Sequence, residues 1–295
     1  MNRINILDII RKSKNYDVAL LTTFNFEISF FERNILNKLY DNDIRKISLF
    51  VDSKEIIKSL DNVNNSYIGK RYYVSPVFLN SSFHPKVILL LGKNKARLII
   101  GSWNLTVSGY YINNEVGNYF DYDENNKENL HLIQAAMKFF IEINEKTDKR
   151  DKDLIESIKL YSYYKQESKV DEDIRFITNI NQPLISQINE FIIEPVKEIN
   201  IAVPYYKKIS VLETLKENFP KSNIILYIQN KRNTFPIEHK DNYNKNLFNK
   251  FNDNKSSNFY HGKVFRFITE NYSYILYGSA NCTEAALLKS ANEGG

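Results

Sequence analysis

Two rhythms of apolar residues run along this chain. DVALLTTF (residues 17–24) and RKISLFVD are continuous apolar runs of strand length, and SFFERNILNKLYDN between them repeats apolar positions every three to four residues. Unbroken runs predict buried strands, and the longer spacing predicts an amphipathic helix. Near residue 199 the order returns: EINIAVPYY as strand, ISVLETLKENF as helix, SNIILYIQN as strand. Strand, helix, strand in each half predicts α/β units with parallel pairing. ARLIIGS, EVGNYFDY and SYILYGS add further strands.

The halves are separated by a different texture. ENLHLIQAAMKFFIEINEK is amphipathic and predicts one long helix, and the charge-rich stretch after it, free of Pro and Gly, predicts a solvated helical connector. The expected organisation is a first repeat over 1–120, an acidic helical connector over 121–173 and a second repeat over 174–295. The Asn-rich stretch 241–258 reads as a surface segment with a short helix, a loop beside the site.

Charge follows this division. Residues 1–120 carry 16 Lys/Arg and 10 Asp/Glu (+6), residues 121–173 carry 9 and 14 (−5), and residues 174–295 carry 15 and 11 (+4). Basic blocks attract polyanions such as nucleic acid, although excesses this small also suit a solvated surface. Aromatic residues make up 14% of the chain, mostly Tyr and Phe, and strand propensity accounts for them before base stacking does. The single Cys282 excludes an internal disulfide framework and fits a reducing cytoplasm. No secretion signal and no apolar run of membrane-spanning length is present, so no membrane partner is expected.

The chemistry lies in an internal repeat. FHPKVILLLGKNKARLIIGSWNLTVSGYYINNEVG and YHGKVFRFITENYSYILYGSANCTEAALLKSANEGG each open on aromatic-His-x-Lys-Val. Each then reaches Gly-Ser-x-Asn, with 20 positions from His84 to Asn104 and 20 from His261 to Asn281. Each ends on Asn-Glu, 31 positions from His84 to Glu115 and 32 from His261 to Glu293. Polar residues have no packing reason to recur in register on apolar strands. On a strand, His84 and Lys86 share a face, as do His261 and Lys263. The glycines free the backbone to turn, which places Asn104 and Asn281 at strand ends, where α/β sheets bind ligands.

Two histidines, two lysines and two asparagines without a metal-ligand cluster suit phosphodiester cleavage. A neutral imidazole attacks phosphorus and becomes a phosphohistidine, and a second, protonated imidazole gives its proton to the leaving oxygen. Lysine and amide donors stabilise the non-bridging oxygens. A glutamate on the far ring nitrogen fixes the tautomer and favours the charged ring, a role that fits Glu115 and Glu293. An approximate twofold between the repeats would bring the histidines face to face. Ser102 and Ser279 either add a hydroxyl to the phosphate site or shape the turn. No cofactor is called for.

These residues resemble the phospholipase D superfamily, through His84-Pro85-Lys86 with Gly101-Ser102-Trp103-Asn104, and His261-Gly262-Lys263 with Gly278-Ser279-Ala280-Asn281. The resemblance covers both halves. It implies an α/β fold of two repeats, each a mixed sheet flanked by helices, related by pseudo-twofold symmetry. The lipid-type pattern adds an Asp five positions after the Lys; here those positions are Leu91 and Ile268. The trailing Glu looks instead like the metal-independent nuclease branch, which includes restriction endonucleases. That likeness implies His84 or His261 as nucleophile with the other as general acid, Lys86, Lys263, Asn104 and Asn281 on phosphate, and Glu115 and Glu293 orienting the rings. It implies nucleic acid as partner, DNA ahead of RNA, in restriction or phage defence. Two other readings stay open: a lipid phosphodiesterase or phosphatidyl transferase, and a non-catalytic nucleic-acid-binding module.

Outside the repeat, Trp103 reads as a core or lobe-interface residue, Cys282 as a small buried one, and His131 and His239 as ordinary residues. Tyr110 and Tyr111 suit either strand packing or the flank of a cleft. The second copy stops at NEGG, where the first continues into EVGNYFDY. The expectation is a fragment, or a chain without the family's last strand, that leaves a recognition or effector region to a further domain or partner.

Overall fold

The computed structural model describes residues 5–61, 65–147, 152–169, 173–229, 234–236, 243–248 and 258–295. The chain divides into two units. One comprises Met1–Ile100, Asn104–Tyr110 and Gly117–Phe176; the other comprises Gly101–Trp103, Tyr111–Val116 and Ile177–Gly295.

In the first unit the strands are β1 (Val18–Thr23), β2 (Lys46–Asp52), β3 (Tyr73–Val77), β4 (Val87–Gly92), β5 (Lys95–Gly101) and β6 (Gly117–Asp123), in sheet order β3-β2-β1-β4-β5-β6. The central strands β1 and β4 are buried at every position, which is why their sequences are continuous apolar runs and not alternating ones. β1 pairs parallel with β2 and antiparallel with β4, so the sheet is mixed. The helical crossover from β1 to β2 runs through Ile28–Phe31, a π-helical turn Glu32–Leu36 and Asn37–Asp41. It buries Ile28, Phe31, Ile35, Leu36 and Leu39 at helical spacing. The π turn carries Glu32, whose Oε1 accepts from Ser66 Oγ, Tyr67 N and Tyr72 Oη.

The described residues of the acidic middle segment group with the first unit. Leu130–Asn144 is the expected long helix, and it packs on β4 and β6 inside the first unit. Its apolar face, with Ile133, Ala136, Met137 and Phe140, gains more buried on a sheet than in a solvated linker. Lys152–Lys159 forms a second short helix.

In the second unit the strands are β7 (Glu198–Ala202), β8 (Asn223–Gln229), β9 (Asn244–Phe248), β10 (Val264–Ile268) and β11 (Ser273–Tyr277), in order β11-β10-β7-β8-β9. Reversed, this is the first sheet's order without a counterpart of β6 among the described residues. β7 pairs parallel with β8 and antiparallel with β10. Helices Leu184–Phe191 and Ser210–Asn218 contribute Leu184, Ile188, Val211 and Leu215 to the core over β7, β8 and β10. The Asn-rich stretch differs from expectation: its described part, Asn244–Phe248, is a strand pairing parallel with β8. Residues 241–242 and 249–257 lie outside the described residues, as does His239.

The repeat is structural as well as sequential. Val87 pairs with Ile100 and Val264 with Tyr277. In each hairpin the residue after the motif lysine faces the residue before the motif glycine. The two glycines are needed for different reasons. Gly278 turns at φ +143°, which L side chains rarely adopt. At Gly101 a Cβ would lie 1.7 Å from the Trp103 ring, and that ring is buried. Gly101→Ala is therefore expected to overpack the turn and cost about 1–3 kcal/mol, read as a lowered melting midpoint.

Candidate active site

Both His-x-Lys segments sit just before their strands, not on them: residues 84–86 lead into β4 and residues 261–263 into β10. The two side chains of each motif still meet. Lys86 Nζ donates to the His84 carbonyl (2.8 Å) and lies 3.0 Å from His84 Nδ1 and 3.4 Å from Nε2. Lys263 Nζ donates to the His261 carbonyl (2.6 Å) and lies 3.0 Å from His261 Nε2. Both lysines are almost fully buried, at 2% and 1% exposure.

In the first unit, three polar side chains at strand ends hold the motif. Thr22 Oγ1 accepts from Val87 N (2.9 Å), and Thr23 Oγ1 accepts from Leu105 N (3.1 Å). Asp52, the last residue of β2, caps the helix Ser53–Leu60 and accepts from Phe83 N (2.8 Å). Asn104 Oδ1 accepts from Asn25 N (3.2 Å), which fixes the amide and turns its NH2 away from that contact. Phe24 packs on the His84 ring, centroids 5.0 Å apart.

In the second unit the set is a chain of four side chains. Ser102 Oγ donates to Glu115 Oε2 (2.5 Å) and accepts from Val116 N (2.9 Å). Glu115 accepts from Asn113 Nδ2 (3.2 Å) and meets His261 Nδ1 at 2.8 and 3.0 Å. A carboxylate can only accept, so Nδ1 carries the proton and Nε2 points its lone pair toward Lys263. Asn114 O accepts from the backbone of His261 (2.9 Å) and Gly262 (3.2 Å). Gln229, the last residue of β8, exchanges two hydrogen bonds with the Tyr260 backbone. It stands where Asp52 stands in the first sheet, and each holds the residue before the histidine.

Burial raises the Glu115 carboxyl, but His261, Ser102 and Lys263 together outweigh it and hold the group below its ordinary value. Burial pushes the Lys263 ammonium down to about 7, against the pull of Glu115. This lysine therefore changes charge near neutral pH.

The structure gathers Ser102, Glu115, His261 and Lys263 in one unit, and His84 with Lys86 in the other. Glu115, the trailing carboxylate of the first motif, meets the histidine of the second. Ser102 serves the carboxylate through its hydroxyl. Ser279, half-buried, makes no side-chain hydrogen bond among the described residues. Asn281 Oδ1 is buried with no hydrogen-bond partner among the described residues, a state that costs about 1–3 kcal/mol unless a ligand relieves it. Glu293 departs from its expected role: it is the third residue of a capping box, accepting from Ser290 N (2.9 Å) and Oγ (2.7 Å) at the exposed turn Ala291–Glu293. One extra residue in the second spacing accompanies this difference.

Thr22, Thr23, Asp52 and Gln229 escape motif reading. Their only signal is a polar residue ending an apolar strand. Trp103 and Cys282 are buried as expected, and burial raises the Cys282 thiol. His131 Nε2 meets the Ile174 carbonyl, and Tyr111 is exposed. Among the described residues no three His, Cys, Asp or Glu side chains cluster as metal ligands would, and no helix is long and apolar enough to cross a membrane.

No protein-family model matches the chain, and no curated protein sequence matches it. Solved structures do. The yeast tyrosyl-DNA phosphodiesterase is similar at a TM-score of 0.61 and 11% identity, over 98% of this chain and 84% of that one. Polyphosphate kinase from Porphyromonas gingivalis is similar at a TM-score of 0.53 and 11% identity, over 94% of this chain and 43% of that one. This chain thus spans less than half the kinase's length. With two mixed sheets of matching strand order, each holding a hairpin entered through His-x-Lys and left through Gly-Ser-x-Asn, the chain has a phospholipase D-like fold of two α/β repeats.

Proposed function

We propose that this protein hydrolyses phosphodiester bonds of nucleic acid, DNA ahead of RNA, through a phosphohistidine intermediate and without a metal ion. One observation carries the reading: His261 is held between a buried carboxylate on Nδ1 and a buried lysine at Nε2. That arrangement presents an imidazole lone pair beside a cation, as attack on an anionic phosphorus requires.

In this reading the two motif histidines, His84 and His261, take the complementary parts of nucleophile and general acid. The Nε2 lone pair of one histidine forms the N–P bond as the P–O bond breaks, and the leaving oxygen takes a proton from the other, protonated ring. That second ring, now neutral, removes a proton from water as the water oxygen attacks phosphorus. The N–P bond breaks, and its electron pair returns to the first histidine. Lys86, Lys263, Asn104 and Asn281 bind the non-bridging oxygens. Lys263 gains its proton as the anion arrives. Glu115 orients His261 with Ser102 behind it, while Glu293 takes no part.

The nucleic-acid side is supported by the basic excess over 1–120 and 174–295 and by the likeness to a phosphodiesterase whose name states a DNA substrate. The positions of the lipid-type Asp are Leu91, buried in β4, and Ile268 in β10, which disfavours the lipid reading. Restriction or phage defence is the setting that fits such a nuclease.

The test is cleavage of single- and double-stranded DNA in excess EDTA, with the protein quenched in mid-reaction for mass spectrometry. Expected are cleavage and a phosphate on His84 or His261. No cleavage, or cleavage unchanged in both His84→Ala and His261→Ala, removes the proposal.

A further inference from the structure

The aromatic residues around the second motif differ from those around the first: Phe24, which packs on the His84 ring, has Pro204 at the matching position, and two other rings lie near His261 instead. Phe26 and Tyr206 occupy matching positions, as do Phe83 and Tyr260, and all four are buried. They recur because the fold packs on them. Tyr205 and Phe259 do not recur: the matching positions in the first motif are Asn25 and Ser82. Tyr205 is 38% exposed and Phe259 half-buried. Their ring centroids lie 6.3 Å apart, and they lie 6.3 and 5.9 Å from the His261 ring. Two partly exposed rings that the repeat does not require thus flank the imidazole. The exposed Lys207 follows two residues after Tyr205, so a cation for a phosphate lies close in sequence.

From this arrangement, and resting on the nucleic-acid reading above, we infer that Tyr205 and Phe259 form a stacking platform for an unpaired base next to the scissile phosphate, which makes single-stranded nucleic acid the substrate. A base within a duplex has both faces covered by its neighbours and cannot lie on a ring. A single strand offers its π-faces freely, and aromatic platforms bind them with little regard to sequence. Phosphate held by the lysines and a base held by the rings together fix the strand's register relative to His261.

The experiment compares wild type, Tyr205→Ala, Phe259→Ala and Tyr205→Phe on three labelled DNAs: a single strand, its duplex, and the same strand with abasic sites. Binding is read by fluorescence anisotropy at fixed salt, and turnover in EDTA. Expected is a loss of single-strand affinity of about 5- to 150-fold for each Ala variant, with KM rising more than kcat falls and Tyr205→Phe close to wild type. The abasic strand should bind wild type and Ala variants alike. Equal losses on normal and abasic strands would mean the rings only shape the site, and would overturn the inference. So would duplex binding as tight as single-strand binding. If an Ala variant misfolds by circular dichroism, the normal-against-abasic comparison on wild type decides alone. Base-dependent binding without cleavage keeps the platform and removes the hydrolytic reading; cleavage without base dependence does the reverse.

Discussion

Glu115→Gln lowers phosphodiester turnover by roughly 10²- to 10⁴-fold, the range expected when a histidine loses the carboxylate that sets its tautomer. Among the described residues, each side chain hydrogen-bonded to the Glu115 carboxylate donates to it: the Ser102 hydroxyl, the Asn113 amide and His261 Nδ1. A glutamine has one accepting oxygen and one NH2: with the oxygen kept on His261 and Asn113 the NH2 faces the Ser102 hydroxyl, which must turn from donor to acceptor, and with the amide flipped the NH2 faces His261 Nδ1, donor against donor. If His261 yields, its proton moves to Nε2 and the lone pair facing Lys263 is lost. The fall should appear in kcat, with a displaced pH–rate profile, because Lys263 also loses its compensating charge. Glu115→Asp, which keeps the charge, should recover part of the loss. Glu293→Gln should leave turnover unchanged, since among the described residues that carboxylate hydrogen-bonds Ser290 alone. Equal effects at Glu115 and Glu293 would refute this division of labour.

Lys263→Met abolishes turnover but stabilises the fold below neutral pH. Burial holds this lysine at about 7 in the folded protein, against an ordinary 10.5. Between those two values the unfolded chain binds more protons than the folded one, so stability rises with pH across the window. The cost of the buried ammonium is fully present below about pH 7 and is gone above about pH 10.5. The variant lacks this dependence. Its advantage should shrink by about 1.4 kcal/mol for each pH unit crossed between pH 7 and 10. Above the window it becomes a deficit, because Met cannot replace the hydrogen bond to the His261 carbonyl. Denaturant melts of both proteins at pH 6.5, 8 and 9.5 read the slope directly. Parallel stability curves would show that Lys263 titrates as it does in water. On the proposed reading, an anionic substrate restores the Lys263 proton.

The central strands of the first sheet were legible because β1 and β4 are buried on both faces and read as unbroken apolar runs, and β7 and β8 of the second because buried apolar positions alternate along them. The recurrence of His84, Lys86 and Asn104 as His261, Lys263 and Asn281 was legible because it depends on spacing alone, and the hairpin registers reproduce it. The Asn-rich strand Asn244–Phe248 was not legible, because it lacks an apolar pattern and its pairing with β8 is set by the neighbour. Nor was the docking of Leu130–Asn144, since an amphipathic helix declares its face but not its partner.

The sequence by itself determined that His-x-Lys followed by Gly-Ser-x-Asn occurs twice at one spacing, and it placed each His and Lys on a strand that the structure starts one residue after the Lys. Only the tertiary structure decided that Glu115 serves the histidine of the other motif, that Ser102 supports the carboxylate, and that Glu293 is a turn cap. Spacing along a chain fixes which side chains share a strand end. Which carboxylate reaches which imidazole depends on where the loops between strands are carried, and that is settled by packing among residues far apart in sequence.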